Sequence, residues 1–236
     1  MTLMRALSSA ATLAAVALLA TACATAPGAS APTSSVAPSG PSTLPTADGV
    51  DEVEAAWLDG GRSFALVTWG SSSCAPVLGD VAASGQSIRV TFAASAEKAC
   101  TDDLAPRALM VPVPEGVDVT SEVEIEVVHG ERTDTVDLDA RAEAPQGPTE
   151  YQPSAGWFDD GIVLLTWGSG SCVPVVNDVQ QTDAGATVTF AEIDGVCTMD
   201  MAPRLTPIML SQPDDDEAFE LTLVGAGLDG EIVVEG

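Results

Sequence analysis

The chain has 236 residues, 46% of them apolar, with 8 Lys and Arg against 35 Asp and Glu, for a net charge of −27. So acidic a surface repels nucleic acid and anionic lipid, which excludes both as partners held by charge. Five cysteines behind an apolar leader point to an oxidising compartment, with one thiol left over after pairing.

Residues 1–22 read as a signal peptide. Arg5 supplies the positive start, residues 6–20 form an apolar run, and Ala20-Thr21-Ala22 offers small residues for cleavage. The run is shorter than the roughly 20 apolar residues that span a bilayer. Leu19-Ala20-Thr21-Ala22-Cys23 resembles the lipobox of bacterial lipoproteins, which implies that Cys23 is acylated and anchors the chain to the membrane. That pattern prefers leucine three places before the cysteine, where this chain has Ala20. An ordinary signal peptidase also accepts Ala20-x-Ala22, and the protein is then secreted freely. Removing residues 1–22 takes away Arg5 and no acid, so the net charge moves from −27 to −28.

Residues 23–50 are almost wholly Ala, Ser, Thr, Pro and Gly after the cysteine. They carry too little bulky apolar surface to offset ordering entropy and read as a disordered tether, with a reach of about 30 Å.

The remainder is written twice. Trp69-Gly70-Ser71-Ser72-Ser73-Cys74-Ala75-Pro76 returns as Trp167-Gly168-Ser169-Gly170-Ser171-Cys172-Val173-Pro174. Cys100-Thr101-Asp102-Asp103-Leu104-Ala105-Pro106-Arg107 returns as Cys197-Thr198-Met199-Asp200-Met201-Ala202-Pro203-Arg204, with offsets of 97 to 98 residues throughout. Repetition at a fixed offset means two copies of one unit. The first copy is placed at 51–140, a polar, proline-rich linker at 141–153 and the second copy at 154–236.

Strands are expected in the first copy at 55–58, 63–69, 77–82, 87–92, 107–113, 122–128 and 133–138. Their counterparts fall at 156–158, 162–167, 175–180, 186–190, 204–210, 218–224 and 230–234. Asp-Gly signals a hairpin between the first two strands of each copy. Glu122-Val123-Glu124-Ile125-Glu126-Val127 alternates strictly, so one of its faces is wet. No stretch beyond the leader has useful helical periodicity. The expected fold is all-β, two tandem small β-sandwiches of immunoglobulin-like architecture with one disulfide each.

Because each copy should be self-contained, the repeat selects Cys74–Cys100 and Cys172–Cys197 over the other connectivities. Two sulfurs per copy without paired histidines make a poor zinc set, so no metal and no cofactor is expected.

The candidate binding residues are Trp69, Ser71 and Ser73 with Trp167, Ser169 and Ser171, since an aromatic ring beside hydroxyls lines many carbohydrate sites. The competing reading makes the same motif architecture: Trp over the disulfide, Gly for a sharp exit and serines satisfying a turn. Asp103 and Asp200 are expected to cap the turn after Cys-Thr, with Arg107 and Arg204 paired to them. The acidic run 214–217 lacks the spacing of a calcium loop and reads as a hairpin tip. His129 is the single histidine. Gly70-Ser71-Ser72-Ser73 is not the G-x-S-x-G of a nucleophile elbow, so no catalytic residue is assigned and the chain is not read as an enzyme.

The paired cysteine motifs are similar to those of a group of actinobacterial secreted or lipid-anchored proteins of unassigned function. The resemblance implies an envelope location and transfers no activity. The expected role is an extracytoplasmic binding or structural module for a protein or glycan, with no nucleic-acid partner. The alternatives are an accessory or sensor subunit of an envelope complex, and a serine-dependent hydrolase.

Overall fold

The structure, a computed structural model, describes residues 52–93, 99–213 and 218–236. The leader, Cys23, the tether and the acidic run 214–217 lie outside the described residues.

The described chain is all-β. The first copy contributes β1 (Glu54–Leu58), β2 (Ser63–Gly70), β3 (Val77–Ser84), β4 (Ser87–Ala93), β5 (Ala105–Pro112), β6 (Val123–His129) and β7 (Arg132–Leu138). The second contributes β8 (Ser154–Phe158), β9 (Gly161–Gly168), β10 (Val176–Thr182), β11 (Gly185–Phe190), β12 (Ala202–Met209), β13 (Glu220–Val224) and β14 (Gly230–Glu235). Among the described residues no helix is long and apolar enough to cross a membrane.

In the first copy β1-β2-β5 form one sheet and β3-β4-β6-β7 another. Trp57, Phe64 and Leu66 of the first pack with Ile88, Val90, Ile125 and Val127 of the second in one apolar cluster. The four-stranded sheet is mixed: β4 and β6 run parallel. Parallel neighbours need a crossover, and β5, in the opposite layer, provides it. The second copy repeats this with β11 parallel to β13. There the layers also join at one edge, where Val234 and Glu235 of β14 pair with Ala155 and Gly156 of β8. The result is one seven-stranded run, β10-β11-β13-β14-β8-β9-β12.

Two separate immunoglobulin-like sandwiches are not what these strands build. Ala56, Leu58, Ala65 and Val67 of the first copy and Phe158, Val163 and Leu165 of the second form a third buried cluster, which the copies share. The strands concerned have no wet face: Phe64 through Val67 and Ile162 through Leu165 are all fully buried. A continuous apolar run is the mark of a strand covered on both sides. Gly156 sits where a Cβ would come within 2.2 Å of the Trp57 carbonyl oxygen, so β8 crosses directly on the β1 backbone.

Polar contacts frame this shared layer in a reciprocal way. The Asp59 N–H donates to Ser154 Oγ at 2.9 Å, and the Asp159 N–H donates to Glu54 Oε2 at 2.8 Å. Arg141, at the start of the linker, forms an ion pair with Glu235 near the far end of the second copy. The linker composition suggests loose coupling, but the chain on either side of it is packed together.

Candidate functional site

Each cysteine motif closes into the same knot. Cys74 bonds Cys100, and Cys172 bonds Cys197, the pairing that the repeat selected. The paired loops bring the hydroxyls together. Ser71 Oγ lies 2.8 Å from Thr101 Oγ1 and 3.1 Å from Ser73 Oγ, while the Thr101 N–H donates to Ser73 Oγ at 3.0 Å. In the second copy Ser169 Oγ lies 2.8 Å from Thr198 Oγ1 and 3.0 Å from Ser171 Oγ, and the Thr198 N–H donates to Ser171 Oγ at 3.0 Å.

The aspartates anchor this cluster. Thr101 Oγ1 donates to Asp103, which also accepts the Ser72 N–H at 3.2 Å. Thr198 Oγ1 donates to Asp200, which accepts the Gly170 N–H at 3.0 Å. The threonine hydroxyl is the chief reason that both carboxyls are held below the ordinary aspartate value. The cap differs from the expected one: the backbone N–H that each aspartate accepts belongs to the loop after β2 or β9, not to the turn after Cys-Thr, and only the threonine hydroxyl is local.

The arginines do not pair with those aspartates. Arg107 Nη1 donates to the Cys74 carbonyl at 2.8 Å and Nη2 to the Trp69 carbonyl at 2.9 Å. Arg204 reaches the Cys172 and Trp167 carbonyls, each at 3.0 Å. Burial lowers both guanidinium pKa values from their ordinary level. The physical reason is geometric: Trp69 at the end of β2 and Cys74 in the loop that follows each offer a carbonyl, and the planar fork fits the two. A Cβ at Gly70 would sit 2.7 Å from the Arg107 guanidinium carbon, which explains the glycine of the motif.

The tryptophans part company. Trp69 Nε1 donates to Glu54 Oε1 at 3.2 Å, and burial is the leading cause of a raised Glu54 pKa. Trp69 lines a cleft of about 330 Å³ together with Cys74, Phe92, Arg107, His129 and Asp134. His129 is tilted against Phe92 with ring centroids 5.7 Å apart. In the second copy Tyr151, from the linker, stands edge-on to Trp167 at 5.1 Å. Ser71 and Ser73 do not line the first-copy cleft, so the structure separates the serines of the motif from its tryptophan.

A larger groove, of about 590 Å³, runs between β1 and β7 and on to the second copy. Glu54, Asp134, Asp137, Asp159 and Glu235 are among the carboxylates of its walls. Sequence reasoning did not find it, because it joins strands far apart in the chain. The one available signal was the acid count of 133–138. Among the described residues no three His, Cys, Asp or Glu converge to hold a metal ion.

No family model, no curated protein and no solved structure matches this chain. The two disulfides belong to an oxidising, extracytoplasmic compartment.

Proposed function

We propose that this chain is a lipid-anchored, extracytoplasmic binding module without catalytic activity, its ligand face carried by the first copy. In this reading each copy is a two-layer β unit, Cys23 fixes the chain to the membrane, and the hydroxyl and disulfide knots are architecture common to both copies. One observation carries it: the copies share the knot but differ in what lies open beside it. In the second copy β14 pairs with β8, and Tyr151 stands against Trp167. In the first copy the matching edges enclose a groove, and Trp69 lines a cleft. Duplicated units that keep one framework and diverge at one surface have their specific contacts at that surface.

The serines support a non-catalytic role, since Ser71, Ser73, Ser169 and Ser171 bond to threonines that in turn bond to aspartates. A nucleophilic serine needs a base to take its proton.

The test places a photo-crosslinking residue at Thr135 of the first copy or at Glu231, its counterpart in the second, in the mature protein on intact membranes. Capture at Thr135 and not at Glu231 is expected. Equal capture at both, or capture at Glu231 alone, refutes the first-copy face. Labelling of any loop serine by a fluorophosphonate probe refutes the non-catalytic reading.

A further inference from the structure

Among the described residues strand β7 is the edge of the β3-β4-β6-β7 sheet, bonded to β6 on one side and to no strand on the other. An edge strand presents a row of free N–H and C=O groups, a template for another strand. The counterpart strand β14 uses that edge internally, by pairing with β8. In the first copy the equivalent seam is bridged past the end of β7, where Trp57 Nε1 donates to the Asp139 carbonyl at 2.8 Å. Short of that bridge, β7 borders the groove of about 590 Å³ whose other wall is β1.

The charge of the groove selects its occupant. Among the described residues its lining contains no Lys or Arg. Glu235 is already paired with Arg141, and Glu54 accepts from Trp69 and Asp159, whereas Asp137 and Asp159 are exposed. A second copy of this chain brings the same acidic surface and is repelled. The chain's own tether, 24–50, contains no Lys or Arg and cannot complement the walls. A strand laid along β7 turns every second side chain to one face, so a segment with basic residues at alternate positions sets them beside Asp134 or Asp137, which face opposite sides of β7, while its backbone meets the edge.

We infer that the first copy takes up an extended, basic peptide segment of another protein by strand addition to β7. The inference rests on the binding-module reading and names its partner class. The test uses the full mature chain and three fluorescent probes: the ten-residue peptide (Arg-Thr)5, its acidic counterpart (Glu-Thr)5, and (Arg-Thr)5 methylated on alternate backbone nitrogens.

(Arg-Thr)5 is expected to bind with an affinity that falls as salt rises, and (Glu-Thr)5 is expected not to bind. Asp134→Asn combined with Asp137→Asn weakens (Arg-Thr)5 by about fivefold. The same charge change on the second copy, Asp183→Asn with Glu231→Gln, leaves it unaltered. Backbone methylation weakens binding by about tenfold, because the ladder hydrogen bonds are lost while the charge is kept.

Equal affinity for the methylated peptide overturns strand addition, and equal weakening by the second-copy variant overturns the location. Absence of (Arg-Thr)5 binding overturns the inference outright. Capture of a neutral glycan or an acidic protein at Thr135 also overturns it, yet leaves the first-copy binding face standing. Capture at Glu231 alone, or no capture at either position, removes both.

Discussion

Leu165→Ala tests whether the two copies are one folding unit. Leu165 lies on β9, is 0% exposed, and belongs to the cluster that Ala56, Leu58, Ala65 and Val67 of the first copy share with the second. The substitution removes three carbons, which forfeits about 2.4 kcal/mol of transfer free energy at ~0.8 kcal/mol for each. The void left between two packed sheets adds a cavity cost and brings the total to about 3–5 kcal/mol. That is a large fraction of the ~5–15 kcal/mol that holds a typical domain together. The assay is urea denaturation followed by tryptophan fluorescence, with peptide-resolved hydrogen exchange on the same samples. A single transition should move to lower urea with an unchanged slope, and peptides from β2 and β9 should lose protection together. Leu58→Ala, from the other side of the layer, should cost a similar amount, and the double variant should cost less than the sum. A loss of protection confined to 154–236, with β2 unaffected, would refute the shared core.

Other outcomes follow from the knots and from the proposed anchor. Gly70→Ala drives a Cβ to 2.7 Å from the Arg107 guanidinium, and a drop of about 1–3 kcal/mol is expected in the same urea assay; an unchanged midpoint would mean that the arginine is not packed there. Thr101→Val removes the main cause of the lowered Asp103 pKa, so the carboxyl titration seen by NMR should move upward. Because the folded-state pKa lies below the unfolded one, the contribution of Asp103 is present above the unfolded value and is lost as pH falls through the folded value. Asp103→Asn should accordingly flatten the acid limb of the stability profile, and a steeper limb would contradict this. Replacing Cys74 and Cys100 by serine opens a loop of 26 residues and should cost about 3–4 kcal/mol, measured against the oxidised parent. Cys23→Ser should release the protein into the medium or leave an unprocessed precursor, and correctly cleaved protein that stays on the membrane would sink the lipobox reading.

Local chemistry carried a good deal of this protein in its sequence. The repeated Cys motifs selected both disulfides, because a duplicated unit keeps its cross-links to itself. Alternation in 122–128 and the Asp-Gly turns marked strands and hairpins, since a pleat has period two; positive φ is taken at Asp59, Gly60 and Gly61 of the first turn and at none of Asp159, Asp160 and Gly161 in the second. The Thr101–Asp103 contact was legible from Cys-Thr-x-Asp because it is short-range, whereas the Ser72 N–H that Asp103 accepts lies 31 residues away and was not. The partner of Arg107 was not: two carbonyls some 33 and 38 residues away outcompeted the aspartate four residues away. The shared layer was half-written in the apolar runs of β2 and β9, which said that both faces are covered without saying by what. Only the tertiary structure decided that the other copy covers them, that β14 closes on β8, and that β7 pairs with no second strand among the described residues. The reason is physical: a side-chain pattern records whether a face is wet or dry, whereas the identity of its neighbour depends on how whole sheets stack.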